Sequence, residues 1–255
     1  KKKQIIILVS LVILLLLINY PFLDNTLITN FQEDYEIGIV ERIVDGDTLI
    51  ANGNSIRLLG INTPEKGEIY YDQAKQYLEK LALNKTARLE FGKDKKDRYN
   101  RTLAYIYING QNINLELVKK GYANIYFPSG KDNHYNEFLN SWIECIDTNL
   151  NLCEKSTNVC ATNCIQLKGI EIQHQRIYFY NRCERSCEMT SWSIKDEGRK
   201  KFIFPNYSIP AYSNVSISVN NGSDFYWDEP YVWTSTGDSM FLRDNENKLV
   251  LWKNY

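Results

Sequence analysis

Between Glu36 and Ile61 apolar positions recur with a period near two: Ile37 and Ile39, Ile43-Val44, Leu49-Ile50, then Ile56, Leu58, Leu59 and Ile61. Turn-forming Asp45-Gly46 and Asn52-Gly53-Asn54 divide this stretch into strands joined by tight turns. Over residues 70–83 the period lengthens, and Tyr70, Ala74, Tyr77, Leu78 and Leu81 fall on one helical face. Two more strands are predicted at 86–92 and 103–108. Asn112 or Asn114 can cap a short helix bearing Leu115 and Val118, which Gly121 would end. A last helix over about 132–145 turns Tyr135, Phe138, Leu139, Trp142 and Cys145 inward. Three strands, a helix, two strands and trailing helices fit a five-stranded, partly open Greek-key barrel. Residues 145–164 are rich in Asn and Cys and read as a stapled connector. Residues 165–255 carry only short strand runs between turn clusters, for which a small β-sandwich is the natural solution.

The N-terminus has a different pattern. Lys1 to Lys3 precede a nearly uninterrupted apolar run from Ile5 to Leu23, long enough to cross the roughly 30 Å core of a bilayer as a transmembrane helix. Its basic flank predicts a cytoplasmic start with the remainder exported. No small-x-small cleavage pattern follows, so an uncleaved anchor over 1–24 is expected, with a cleaved signal and secretion as the alternative. Residues 24–35 are a polar tether. All six cysteines, Cys145, Cys153, Cys160, Cys164, Cys183 and Cys187, lie beyond the barrel's strands. In an exported chain they are expected to form disulfides between near neighbours, so that reduction would leave a cysteine-poor barrel active. The Cys160/Cys164 and Cys183/Cys187 spacings also suit a four-thiolate zinc site.

Composition adds little, because 44% hydrophobic and 24% charged residues are ordinary for folded protein and the formal net charge is −1. Any polyanion must therefore meet a local basic patch, and between Lys85 and Arg101 seven basic residues face three acidic ones. Ile43-Val44-Asp45-Gly46-Asp47-Thr48 sets two carboxylates about a turn glycine. Arg57-Leu58-Leu59-Gly60-Ile61-Asn62-Thr63-Pro64-Glu65 holds an arginine inside an apolar strand, where it is costly unless paired or offered to an anion. Asp97-Arg98-Tyr99-Asn100-Arg101 is a loop with two arginines and an aromatic. A hairpin turn and a surface arginine account for each motif alone. Together they supply what phosphodiester hydrolysis needs: oxygen ligands for a hard cation in Asp47, Asn62 and the Thr63 carbonyl, bidentate donors in Arg57 and Arg101, and a water-orienting carboxylate in Glu65.

These three motifs make residues 36–144 similar to the staphylococcal nuclease (thermonuclease) family, with its R-L-x-G-I-[DN]-T-P-E and D-[RK]-Y-x-R patterns matched in full. The resemblance implies an OB-fold barrel, calcium dependence, and cleavage of single-stranded DNA and RNA to 3′-phosphate products. It assigns Asp47, Asn62 and Thr63 to calcium, Asp45 to a place behind the metal, Glu65 to the general base, and Arg57 and Arg101 to the phosphate. Arg98 and Tyr99 belong to its substrate loop, and Tyr126 and Phe127 are candidates to stack a base, with core packing as the competing role. Asn62 stands where the best-known members have Asp, which predicts a weaker ion site that Asn62→Asp would tighten. Downstream, Trp192-Ser193-Ile194-Lys195-Asp196-Glu197-Gly198, Phe202-Ile203-Phe204-Pro205 and Val232-Trp233-Thr234-Ser235-Thr236-Gly237-Asp238 resemble a lamin-tail domain, implying an immunoglobulin-like sandwich over 165–255 with a targeting or adhesive role. That segment balances eleven basic against eleven acidic residues and offers no electrostatic case for nucleic acid, so its ligand is unassigned. A nucleic-acid-binding or surface adhesion protein without catalysis is the alternative to a working nuclease.

Overall fold

A computed structural model describes residues 2–5, 8–11, 13–15 and 35–255. The described residues before 16 are helical, and no helix among the described residues is long and apolar enough to cross a membrane. The expected span from Ile5 to Leu23 lies largely outside them. Residues 37–255 form one compact unit.

The alternating segment becomes β1 (Tyr35–Ile43), β2 (Thr48–Ala51), β3 (Asn54–Leu58) and the short β4 (Gly60–Asn62). After helix α1 (Tyr71–Ala82) come β5 (Thr86–Lys96) and β6 (Thr102–Ile108). The sheet order β3-β2-β1-β5-β6 closes on itself through a parallel β3–β6 pairing, in which Arg57 lies opposite Leu103. The five strands are thus a closed, OB-like barrel. Closure removes the open edges, and the alternate residues Val40, Leu49, Ile56, Leu58, Leu89, Ala104 and Ile106 fill its interior. A two-residue β7 (Gln111–Asn112) leads into α2 (Ile113–Lys119), where Asn112 accepts a hydrogen bond from the Leu115 amide at 3.2 Å and caps the helix. A short β8 (Asn124–Tyr126) pairs with β4, and α3 (Tyr135–Thr148) seals the barrel with Phe138, Trp142 and Cys145 wholly buried.

The connector is partly helical: a turn at Asn151–Cys153 and α4 (Val159–Asn163), capped by Asn158, follow α3. Beyond it lie only strands among the described residues. One four-stranded sheet joins β9 (Ile165–Glu171), β10 (Arg176–Asn181), β15 (Asn214–Ser218) and β16 (Phe225–Tyr226). The other joins β12 (Ser193–Lys195), β13 (Lys201–Ile203), β17 (Ser239–Arg243) and β18 (Leu249–Asn254). A minor pair, β11 (Cys187–Glu188) with β14 (Ser208–Ile209), sits between them in sequence. Trp192, Trp233, Phe179, Ile217 and Leu242 belong to one core cluster, as a sandwich requires.

Two expectations need correction. The cysteines are paired as Cys145–Cys153, Cys160–Cys187 and Cys164–Cys183. Only the first joins near neighbours; the others cross 27 and 19 residues and tie α4 and the residue after it to β11 and the loop before it. Pairing also removes the thiolates that zinc would need. Nor is the barrel independent of the cysteines or of the second half. Cys145 and Cys153 sit in the barrel's own core, which Phe241 and Leu249 complete from the far end of the chain. Trp142 packs edge-on against Phe241 at 5.4 Å and Trp252 at 6.3 Å, and the Tyr135 hydroxyl donates to Asn254 Oδ1 at 2.6 Å.

Candidate active site

The β1–β2 turn brings Asp45 and Asp47 to the rim of the barrel. Its glycine is required by close approach: a Cβ on Gly46 would stand 2.8 Å from Thr63 Oγ1 and 2.9 Å from Ala74 Cβ. The turn thus presses against the loop after β4. The Thr63 amide donates to Asp47 Oδ2 at 3.2 Å, and the Asp47 amide donates to Asp45 Oδ1 at 3.1 Å. Burial pushes the Asp45 carboxyl up, and the neighbouring Asp47 charge adds to it.

Arg57, only 7% exposed, is the costly arginine foreseen in β3. Its Nη2 pairs with Asp47 Oδ2 at 2.9 Å, and its Nη1 donates to the Leu58 carbonyl at 2.7 Å. Arg101 enters β6, the parallel neighbour of β3, so the barrel's closure sets the two arginines at the same end. Asp97 grips Arg101 through Nε and Nη2, each 2.7 Å from Oδ2, and accepts its amide. Although burial works in the other direction, these bonds and the one from the Tyr99 amide hold Asp97 below the usual carboxylate range. Thr48 links the two halves: its Oγ1 accepts from Arg101 Nη1 at 3.4 Å and donates to Asp47 Oδ1 at 3.1 Å. Asp47, Thr48, Arg57 and Arg101 are therefore one continuous network.

Asn62, Thr63 and Glu65 lie beside it, but in contact with a segment that sequence reasoning left out of the site. The loop Asp196–Lys200, between β12 and β13, packs against the rim. Asn62 Nδ2 donates to the Gly198 carbonyl at 2.8 Å, and Asn124 Nδ2 donates to the Glu197 carbonyl at 2.8 Å. The Phe127 amide donates to Glu197 Oε1 at 3.0 Å. Arg199 Nε pairs with Glu65 Oε1 at 2.6 Å, and Lys201 approaches Glu68 at 3.4 Å. The only sequence signal was an Asp-Glu-Gly-Arg turn of mixed charge, which says nothing of where the turn docks. Behind it, burial and then the Asp238 charge push the carboxyl of Asp196 up to about 7 and that of Glu197 up to about 8.

The residues proposed to hold substrate divide. Arg98 and Tyr99 are exposed on the β5–β6 loop, where Arg98 Nη2 donates to the Tyr99 hydroxyl at 2.7 Å and the Arg101 guanidinium lies 5.5 Å from the Tyr99 ring centre. Tyr126 is partly buried, with its hydroxyl pushed up chiefly by burial. Phe127 takes the competing role: it is 7% exposed and edge-on to Tyr135 and Phe138, so no ring face is open to a base.

The donor set suits a hard cation. Asp47 and Asp45 bring two carboxylates, and the Thr63 carbonyl and Asn62 Oδ1 have no hydrogen-bond donor among the described residues. The neighbouring carboxylates also repel each other, a cost that a cation would relieve.

Residues 55–152 match the family described as staphylococcal nuclease homologue. The match begins after Asp45 and Asp47, which the network above ties to it. Over 106 residues the chain is 33% identical to a thermonuclease of Staphylococcus intermedius, covering 38% of this chain and 63% of that protein. It is 32% identical over 117 residues to a thermonuclease of Staphylococcus hyicus, covering 42% of this chain and 68% of that one. With an uncharacterised endonuclease of Haemophilus influenzae it shares 43% identity over 101 residues, covering 38% of this chain and 56% of that one. The chain thus spans somewhat more than half to about two thirds of the length of these relatives.

Proposed function

The chain belongs to the staphylococcal nuclease family, and from that premise we propose that it is a metal-dependent nuclease cutting single-stranded DNA or RNA to 3′-phosphate products. The observation that carries this reading is the network joining Arg57 and Arg101 through Asp47 and Thr48, which holds two guanidinium groups oriented at one end of the barrel. Such groups stabilise charge that grows on phosphoryl oxygens, and their preorganisation removes the cost of arranging donors during the reaction. Glu65 orients a water and accepts its proton. The water oxygen attacks phosphorus in line with the 5′ oxygen, whose bond to phosphorus breaks; the 5′ oxygen leaves with the bonding electrons and takes a proton from solvent, and the phosphate stays on the 3′ side. A calcium ion held by Asp47, Asn62 and Thr63, with Asp45 behind, would supply further positive charge beside the phosphate. The Glu65–Arg199 pair does not obstruct this. The two side chains are 46% and 61% exposed, and exposed pairs are worth about 0–1 kcal/mol, so Glu65 is readily released.

The three disulfides support an oxidising, extracytoplasmic setting, and the apolar run after Lys3 supports a membrane tether. The two sheets about Trp192 and Trp233 support a lamin-tail-like sandwich as the second module. Digestion of single-stranded DNA and RNA, with calcium and with chelator, followed by end-group analysis, tests the central reading. Calcium-dependent cleavage leaving 3′-phosphates is expected. Absence of cleavage at saturating calcium, with the protein folded, would sink it.

A further inference from the structure

A cavity of about 310 Å³ lies between the loop that follows Glu65 and the sheet of β12, β13 and β17, and nothing in the chemistry above uses it. Pro64, Gly67, Glu68 and Ile69 form one wall. The other carries Lys195, Lys201 and Arg243, three cations drawn together because Lys195 pairs in register with Lys201 on β13 and Ser193 pairs with Arg243 on β17. Arg243 is only 7% exposed, and the one hydrogen bond of its side chain among the described residues runs from Nη1 to the Asn247 carbonyl at 3.1 Å. The partly buried side chain of Lys195 makes neither a hydrogen bond nor an ion pair among the described residues.

The acidic neighbours Glu68, Asp244 and Asp196 are engaged largely with other partners, Asp196 accepting the Lys200 amide at 2.9 Å. Glu68 accepts the Glu65 amide on one oxygen and meets Lys201 on the other. Asp244 spends one oxygen on the amides of Glu246 and Lys248 and the other on the Ser156 hydroxyl. Neither Lys195 nor Arg243 forms an ion pair among the described residues, although Glu68 and Asp196 face Lys195 and Glu68 and Asp244 face Arg243. Burial depresses both groups, Arg243 to about 10, so that Arg243 stays a cation at neutral pH. A desolvated cation with no ion pair of its own costs free energy, which a fold tolerates when a ligand completes it.

We propose that this cavity is a second anion site, which takes a phosphate group between Arg243 and Lys195. Arg243 offers Nε and Nη2 as a planar fork suited to two phosphate oxygens, and Lys195 adds a compact point charge. The cavity wall continues directly from Glu65, so two sources fit: another phosphate of the nucleic-acid strand being cut, or free phosphate. Assignment to the strand rests on the nuclease reading; phosphate binding as such does not.

The whole 255-residue chain is tested by thermal unfolding in inorganic phosphate against chloride at equal ionic strength, with calcium absent. Phosphate is expected to raise the wild-type midpoint and that of Arg57→Lys alike, because neither the Arg57 network nor a metal contributes. Lys195→Met and Arg243→Gln should lose this gain, with phosphate bound about tenfold or more weakly. Lys195→Met also removes a partly buried charge that has no ion pair, so it should fold at least as well as wild type without phosphate, and Lys195→Arg should restore the response. An increase that persists in both Lys195→Met and Arg243→Gln, or no increase in wild type, overturns the proposal. Kinetics with an oligonucleotide separate the sources: a raised KM at unchanged kcat in Lys195→Met identifies the strand, and an unchanged KM identifies free phosphate. Failure of the nuclease reading would appear as absent cleavage by wild type, with the phosphate response intact.

Discussion

Arg57 and Arg101 are each held by a carboxylate before any substrate arrives, and this makes the shape of the cation as important as its charge. Lysine keeps the charge but cannot present two parallel N–H groups to a phosphate. Arg57→Lys and Arg101→Lys are each expected to lower turnover by about 10²-fold or more, with circular dichroism unchanged. Activity within about tenfold of wild type in both would remove them from the reacting centre. Asn62 is the more instructive residue. Read as a weakened ion ligand, it invites Asn62→Asp as an improvement. Its amide, however, donates to Gly198, and aspartate would set a carboxylate against that carbonyl instead. An unmade buried hydrogen bond costs roughly 1–3 kcal/mol. Asn62→Asp should therefore lower the unfolding midpoint and loosen the 196–200 loop, whatever it adds to metal affinity. A midpoint equal to wild type in the absence of metal would show that the Gly198 contact contributes nothing. The identity of residue 62 was plain from the motif; the reason for it lay 136 positions away.

At the scale of elements, the loop between β12 and β13 is the active site's unexpected border, and it carries a pH dependence. Asp196 faces Asp238, Lys195 and Lys200, and Glu197 faces Asp238, Asp196 and Lys131. In the folded protein their carboxyls are raised to about 7 and about 8, from ordinary values of 3.8 and 4.5. The folded state thus holds more protons than the unfolded one between those limits, so their contribution to stability falls as pH rises from 3.8 to about 8 and is level beyond. Hydrogen-exchange protection of the Glu197 and Lys200 amides, corrected for intrinsic rate, should be higher at pH 5.5 than at pH 8.5. Equal protection at the two values would dissociate loop docking from these carboxyls. The elements themselves were largely legible. Helix 70–83 is found at Tyr71–Ala82, and the Asn112 cap is in place, because periodicity and capping are local consequences of backbone geometry.

For the whole molecule, residues 37–255 behave as one body with two cores that share a border. Phe241 and Trp252 cover Trp142, and large apolar side chains contribute roughly 1.5–3 kcal/mol each when buried. A chain ended after residue 164 should therefore lose a large part of the barrel's stability and expose Trp142, even though every strand of the barrel remains. Unfolding of this truncated chain in denaturant, followed by tryptophan fluorescence, would check it. A midpoint matching that of the 255-residue chain would mean that the second half is only an appendage.

What the sequence determined by itself is whatever nearest neighbours along the chain enforce: the strand and helix periods, the turn at Gly46, and an arginine in β3 that had to find an anion. Those local rules carried the barrel and the Asp47–Arg57–Arg101 group into view together. The tertiary structure alone decided which cysteines meet, that Phe127 is consumed by packing against Phe138, and that Arg199 reaches Glu65. It alone gathered Lys195 and Arg243 around one cavity. These outcomes depend on which surfaces of two cores close against each other. Burial rewards apolar area of any origin, so the pattern that makes each surface apolar cannot name its partner.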